Sequence, residues 1–367
     1  MEAVQCRGCW QGRRGLLDPE AVEEGALVRG EGSPRENPHS LPGGLLLSVP
    51  MPVSRHLLSL VVGVSLAVTI RACAEKEPPP LVVAGYLPHY RVSEATPESL
   101  GALTDLIYFG ITPPAGGTLA EEAVAPAILR KLQAIKRSNG CRLLLCMGGW
   151  NRSAGFAGLA AREDLRTKLV RELLKFCQKN GFDGIDFDWE HPQGSRELSS
   201  YQALLAEARE IFGPAGLLVT VAQASWQDLG APAYRAVDRV HLMSYDHDYP
   251  QATVEKSARD LQRVIRWGCP PEKLVLGIPF YGRNRERASL SYRQLVSGHE
   301  SPPPGDEING YAFNGPATVM EKVRQARQKK LAGIMIWETG QDDPRREFSL
   351  LYAIGRKSGN GLPASSR

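Results

Sequence analysis

The chain has 367 residues, 43% of them hydrophobic and 23% charged, enough apolar material to bury a large core. Its formal net charge of +4 is small for this length and no basic cluster interleaves with aromatics, which argues against a nucleic-acid partner. Seven cysteines do not make a disulfide-built scaffold.

Residues 1–50 are rich in Gly, Arg, Glu and Pro with little apolar periodicity, and a disordered extension is expected there. Cys6-Arg7-Gly8-Cys9 is a lone CxxC with neither a second pair nor a nearby His, so it supports no zinc or redox site. From Met51 the character changes. Arg55 and His56 precede an apolar run from Leu57 to Ile70, and Ala72-Cys73-Ala74 offers a small-residue cleavage site. Residues 51–74 therefore read as a secretory signal peptide, since a membrane-spanning helix needs about 20 apolar residues. Secretion is expected, with lipid attachment at Cys73 as the alternative and no membrane span in the mature form. Met51 then competes with Met1 as the true start. Residues 75–80 end in three prolines and form a stiff linker.

The folded region is expected over 81–358, with a disordered tail over 359–367. Leu81 to Tyr86 reads as a buried strand, and Thr96-Pro97 marks a helix start with Pro at the first helical position. Leu106 to Ile111 is the second strand. A helix carrying Leu129, Leu132 and Ile135 ends at Asn139-Gly140, where Gly suits a left-handed cap. Arg142 to Met147 is the third strand, followed by Gly148-Gly149-Trp150. The next helix places Leu165, Leu169, Leu173 and Cys177 on one stripe and stops at Asn180-Gly181. After an acidic fourth strand come strands at Leu217 to Ala222, Val240 to Tyr245, Leu274 to Phe280 and Gly333 to Trp337. Helical patterns at Val254 to Trp267 and Ala317 to Lys329 separate the later ones. Eight apolar strands alternating with helices predict an α/β fold, a parallel (β/α)8 barrel.

The acidic strand, Gly181-Phe182-Asp183-Gly184-Ile185-Asp186-Phe187-Asp188-Trp189-Glu190, carries the chemistry. In an extended strand Asp186, Asp188 and Glu190 share one face, roughly 6 to 7 Å apart, while Ile185, Phe187 and Trp189 share the other. Three carboxylates on one half-buried face repel one another, and at least one should hold its proton near neutral pH, as a general acid does. A calcium loop does not fit, because such a loop needs Gly at its sixth position, where His191 stands here, and small polar residues between its ligands.

Asp183-x-x-Asp186-x-Asp188-x-Glu190 resembles the DxxDxDxE signature of family 18 glycoside hydrolases, the chitinase family. The resemblance runs from about Leu81 to Gly355. It implies a TIM barrel cleaving β-1,4-linked N-acetylglucosamine polymers, with Glu190 as proton donor, Asp188 orienting the substrate's acetamido group and Asp186 sharing a proton with Asp188. Cys146-Met147-Gly148-Gly149 resembles the family's SxGG pattern with Cys in place of Ser. Met243-x-Tyr245-Asp246 resembles its MxYD pattern, which implies that Tyr245 bonds the acetamido carbonyl and Asp246 contacts the sugar. Tyr86, Gly149, Trp150, Met243 and Trp337 complete the implied substrate site, and His191 stands where a Tyr is common. Trp226 is either a further sugar platform or a core residue. The resemblance implies retention of configuration, with the substrate's own N-acetyl oxygen as nucleophile. No cofactor or metal is implied, and a monomer is expected.

Only about thirty residues lie between Phe280-Tyr281-Gly282-Arg283 and the last predicted helix, too few for a separate α+β insertion domain, which takes at least about 50. A shallow groove and an endo-acting or short-oligomer habit are the expected consequences. Rival readings are a peptidoglycan- or N-glycan-core-cleaving glycosidase of the same family and a non-hydrolytic chitinase-like lectin. Pairing among Cys141, Cys146, Cys177 and Cys269 is not legible from spacing.

Overall fold

The computed structural model describes residues 80–358, and the expected extension, signal peptide, CxxC, Cys73 and tail lie outside them. Eight parallel strands close a barrel: β1 (Val82–Pro88), β2 (Asp105–Ile111), β3 (Arg142–Gly148), β4 (Gly184–Asp188), β5 (Leu218–Ala224), β6 (Arg239–Met243), β7 (Leu274–Pro279) and, last in the chain, β12 (Gly333–Trp337). Each pairs with its sequence neighbour, and β12 closes the ring onto β1 through the register Val82 to Gly333. These strands are near-continuous apolar runs because both of their faces are buried.

The connecting helices are α1 (Pro126–Asn139), α2 (Phe156–Ala160), α3 (Glu163–Asn180), α4 (Gly194–Phe212), α5 (Gly230–Ala236), α6 (Val254–Arg266), α7 (Tyr292–Leu295), α8 (Pro316–Gln328) and α9 (Leu350–Lys357). Helices α1 and α3 end at Gly140 and Gly181 in left-handed caps, as their sequences predict. The first crossover differs from expectation. Thr96 and Ser99 cap each other's backbone N–H groups, at 3.1 and 3.2 Å, but the capped segment forms only a single 3-10 turn, Glu98–Leu100. Residues 101–104 are drawn off to the sheet instead, with the Thr104 N–H donating to the Val83 carbonyl oxygen at 3.0 Å just before β2 begins at Asp105.

Between β7 and α8 lies a small antiparallel sheet in the order β10–β11–β8–β9, built from Tyr281–Arg283 (β8), Ser289–Ser291 (β9), Glu307–Ile308 (β10) and Tyr311–Ala312 (β11). It is an elaboration of one loop rather than a large insertion domain.

Two apolar layers separate inside from outside. Ala84, Tyr86, Ile107, Phe109, Leu144, Cys146, Val275 and Met335 fill the barrel interior. Ile185, Phe187 and Trp189 belong to the larger layer between the strands and the helices. There Trp189 stacks on Phe156, with centroids 5.2 Å apart and planes at 16°. The period-two alternation of β4 thus turns the apolar residues outward and leaves the inner face to the carboxylates. The four described cysteines, Cys141, Cys146, Cys177 and Cys269, are buried free thiols. Among the described residues no helix is long and apolar enough to cross a membrane.

Candidate active site

In a barrel of this kind the loops at the C-terminal ends of the strands form one rim, and that is where the predicted site residues lie. Tyr86 is in β1, Gly149 and Trp150 follow β3, Asp186 and Asp188 close β4, Glu190 stands two residues beyond, Met243 ends β6 with Tyr245 and Asp246 after it, and Trp337 ends β12.

Asp186 is the deepest of the acidic group. Lateral register sets it between Cys146 of β3 and Thr220 of β5. Its Oδ1 accepts from the Thr220 hydroxyl at 2.5 Å, and its Oδ2 accepts from the Tyr86 hydroxyl at 2.7 Å. His241 Nδ1 lies 3.0 Å from Oδ1 and 3.2 Å from the Tyr86 oxygen. Burial pushes the Asp186 carboxyl up, but His241, Thr220 and Tyr86 together outweigh that and hold it below the usual carboxylate range.

Asp188 is the reverse case. It is 3% exposed, and its Oδ1 has no hydrogen-bond partner. Burial, then the charges of Glu190 and Asp186, push its pKa well above the ordinary value. No hydrogen bond joins Asp186 to Asp188 among the described residues.

Glu190 reaches the rim. Burial, with a further push from Asp246, raises its pKa to about 7, against a small pull from the Trp150 backbone N–H. Its own backbone N–H donates to Ser153 Oγ at 3.0 Å. Ser153 Oγ also lies 3.0 Å from the Gly149 carbonyl oxygen and 3.1 Å from that of Asp188, while the Gly149 N–H donates to the latter at 2.6 Å. The loop after β3 is therefore laced to the end of β4. Only glycine permits this contact. A Cβ on Gly148 would sit 2.2 Å from the Asp188 carbonyl oxygen, and one on Gly149 would sit 2.3 Å from the Phe109 ring, with both residues at φ above +100°.

Opposite, Tyr245 packs edge-on against Tyr281, with centroids 6.4 Å apart, and its hydroxyl has no hydrogen-bond partner among the described residues. Burial, Asp188, Asp246 and Glu190 all raise its pKa. Asp246 accepts from the Tyr281 hydroxyl at 2.5 Å and pairs with Arg283 at 3.0 Å. Trp337 lies across Tyr86 and Phe109, at 5.5 and 5.0 Å between centroids, and Met243 packs beside it against the interior cluster. Tyr90, Trp150 and Trp226, in the loops after β1, β3 and β5, are half exposed, and Trp226 meets the His191 ring edge-on at 4.7 Å. Trp226 is thus a rim residue, not a core one.

Every predicted site residue falls on this rim or immediately beneath it. Sequence reading missed Thr220, His241, Ser153 and Tyr281. The first two are polar residues within largely apolar strands; Thr220 meets Asp186 from the adjacent strand, and His241 reaches Asp186 two strands away and Tyr86 of β1. Among the described residues no cluster of His, Cys, Asp and Glu is arranged to hold a metal ion.

Residues 82–342 match the model of glycosyl hydrolases family 18. The chain is 28% identical to probable chitinase 2 of Drosophila melanogaster, over 58% of this chain and 59% of that protein. It is 26% identical to chitotriosidase-1 of Mus musculus, over 60% of this chain and 63% of that protein. Each match spans less than two thirds of the curated relative's length. Among solved structures, the GH18 chitinase ChiB of Flavobacterium johnsoniae superposes with a TM-score of 0.68 at 25% identity, covering 76% of this chain and 94% of that one. The closed parallel barrel, the carboxylates at the end of its fourth strand and the family match over 82–342 agree, and the chain belongs to family 18 of the glycosyl hydrolases.

Proposed function

We propose that the protein is a secreted glycosidase that hydrolyses β-1,4 bonds in N-acetylglucosamine polymers, chitin or its oligomers, with retention of configuration. The observation that carries this reading is a set of unengaged polar groups in one place. Asp188 Oδ1 is buried without a partner, the Tyr245 hydroxyl has none, and Glu190 is a carboxyl whose proton is held up to about pH 7. A buried acceptor left unpaired is costly unless a ligand completes it. An acetamido group supplies the missing partners, its N–H donating to Asp188 Oδ1 and its carbonyl oxygen accepting from Tyr245.

Ordinary retaining glycosidases place a second carboxylate about 5 to 5.5 Å from the acid, on the far side of the sugar. Asp186 and Asp188 lie on the same strand as Glu190, a poor arrangement for attack from the opposite face. The acetamido oxygen, held in line by Tyr245, is then the nucleophile, and it closes an oxazolinium ring as Glu190 Oε protonates the leaving glycosidic oxygen. Water opens the ring on the same face, with Glu190 taking a proton back. Asp188 Oδ1 accepts from the ring N–H, a bond that strengthens as positive charge grows on that nitrogen, Trp337 supplies an apolar floor and Asp246 bonds the sugar.

The test compares chitin oligomers with fully deacetylated oligomers, cellulose oligomers, bacterial cell walls and glycoproteins. Turnover should require the acetamido group, and the first product should be the β anomer by NMR. Glu190→Gln should keep oligosaccharide binding and lose about 10² to 10⁴-fold in kcat. Equal rates on acetylated and deacetylated substrates, or an α product, would refute the mechanism. Cleavage confined to cell walls or glycoproteins would keep the mechanism and move the substrate. For export, N-terminal sequencing of secreted material should read from near Glu75, and a secreted chain retaining residues 1–50 would overturn it.

A further inference from the structure

We infer that His241 is a positioning residue that fixes Asp186 as a carboxylate and so leaves the proton of the acidic strand on Asp188. The inference rests on the reading above for the roles of Asp188 and Glu190, while its own evidence is hydrogen-bond accounting inside the barrel.

Asp186 receives two hydroxyl protons. Tyr86 has one proton and gives it to Asp186 Oδ2 at 2.7 Å, and Thr220 gives its own to Oδ1 at 2.5 Å. His241 Nδ1 then faces Asp186 Oδ1 at 3.0 Å and the Tyr86 oxygen at 3.2 Å, and both of these atoms have only lone pairs left to offer. Nδ1 is therefore the nitrogen that carries a proton, and it is shared between the two acceptors. Nε2 is buried with no partner, so a second ring proton there would be a donor with nothing to bond. Nδ1–H is accordingly the proton that His241 gives to the carboxylate. The Tyr86 ring of β1 meets the His241 ring edge-on at 5.9 Å, and the Cys146 thiol of β3 bonds the same Asp186 carboxylate. Cys146 stands where the family pattern has a serine, and a thiol is a weaker donor than a hydroxyl. His241 supplies from β6 a stronger donor to the same carboxylate.

The consequence runs along β4. With these donors on Asp186 and a like charge next door, the proton settles on Asp188. A neutral Asp188 keeps negative charge away from Glu190. If His241 is removed, Asp186 keeps only its two hydroxyl donors and the weak thiol and holds its charge less firmly, so the proton moves part of the way from Asp188 to Asp186, and Glu190 faces more negative charge, which raises its pKa. His241→Leu should therefore move the alkaline limb of the kcat/KM profile upward by about one pH unit. His241→Asn keeps an N–H donor and should leave the limb near its wild-type position. A purely structural role would lower the melting temperature without moving the limb.

The decisive measurement needs no substrate. Long-range 1H–15N correlation spectra of the uniformly labelled protein, with the His241 signal identified by its loss in His241→Asn, should show Nδ1 protonated. A ring whose Nδ1 carries no proton would overturn the inference even if the leucine variant fails to fold. A folded leucine variant with an unmoved limb would do the same. Should the enzyme prove inactive on every acetylated glycan, the functional reading falls while the spectrum still decides the state of His241.

Discussion

Glu190, Asp188 and Asp186 are acidic residues within one short stretch, yet their surroundings drive them to different protonation states. Asp186 is held down by His241, Thr220 and Tyr86 against its burial, Asp188 is pushed up by burial and its neighbours, and Glu190 is raised to about 7. Such divergence is what separates acid from charge stabiliser in a carboxylate site. Since the acid must be protonated to work, kcat/KM on chitin oligomers should fall as pH rises through about 7, and a profile flat to well above that value would remove Glu190 from the acid role. The same shift costs stability. The folded state binds the Glu190 proton more tightly than the unfolded chain between 4.5 and about 7, so stability is lost as pH rises through that window. Glu190→Gln should therefore stabilise the protein by up to ~3 kcal/mol at about pH 8 and by little at about pH 5. Chemical denaturation at both values checks the sign. The carboxylates were legible in the sequence because period-two spacing puts charges where a core residue belongs. His241 was not, since its partners Asp186 and Tyr86 lie 55 and 155 residues away.

At the scale of elements, the C-terminal end of β3 is built for contact with β4. Gly148 and Gly149 let the backbone turn under Asp188, and Ser153 then ties the loop to the Glu190 N–H. Gly148→Ala would force a methyl to within 2.2 Å of the Asp188 carbonyl oxygen, so the loop or the strand end must shift. Displacing catalytic groups by about 1 Å can cost about 10²-fold, and a loss of that order in kcat is expected, with some loss of stability as well, because the methyl also meets the buried Phe156 ring at 2.7 Å and φ there is +106°. A near-wild-type kcat would show that the strand end can yield. The barrel strands were readable because both faces are apolar. The first crossover helix was over-read, since capping residues at Thr96 and Ser99 signal a start and say nothing of length. The sixth strand stops at Met243 rather than Tyr245, because the Ser244 hydroxyl is drawn to Asp260 at 2.7 Å and Asp246 turns left-handed at φ 63°. The small sheet escaped notice, as strands of two or three residues leave no period to detect.

On the scale of the whole molecule, chemistry sits at one end of the barrel and structural charge elsewhere. Asp105 at the start of β2 is 1% exposed and takes Arg142 at 2.5 Å and Arg239 at 2.9 Å, tying β2, β3 and β6 at the end opposite the site. Lys322 of α8 is a buried charge away from the site, and it is poorly provided for. It is fully buried, and its Nζ donates to one atom, Asn314 Oδ1, at 2.8 Å. The amide of Asn314 in turn donates to the Ala252 carbonyl oxygen at 2.8 Å, so the lysine braces the loop between β6 and α6. Burial drives its pKa down to about 7, against the pull of Asp306, Asp260 and Glu255. A base depressed on folding binds fewer protons in the native state than in the unfolded chain, here between about 7 and 10.5, so stability should rise with pH across that window. Below it both states are protonated and the penalty is constant. The rise begins where the loss from Glu190 ends, which keeps the two contributions separable. Lys322→Met removes the buried charge at similar volume but leaves Asn314 Oδ1 without its donor, at about 1 to 3 kcal/mol. The variant should therefore lie closest to, or above, the wild type at about pH 6 and fall behind it by a few kcal/mol at about pH 9. Urea unfolding at several pH values between these reads the slopes directly, and parallel slopes for the two proteins would show that Lys322 keeps its ordinary affinity for the proton despite its burial.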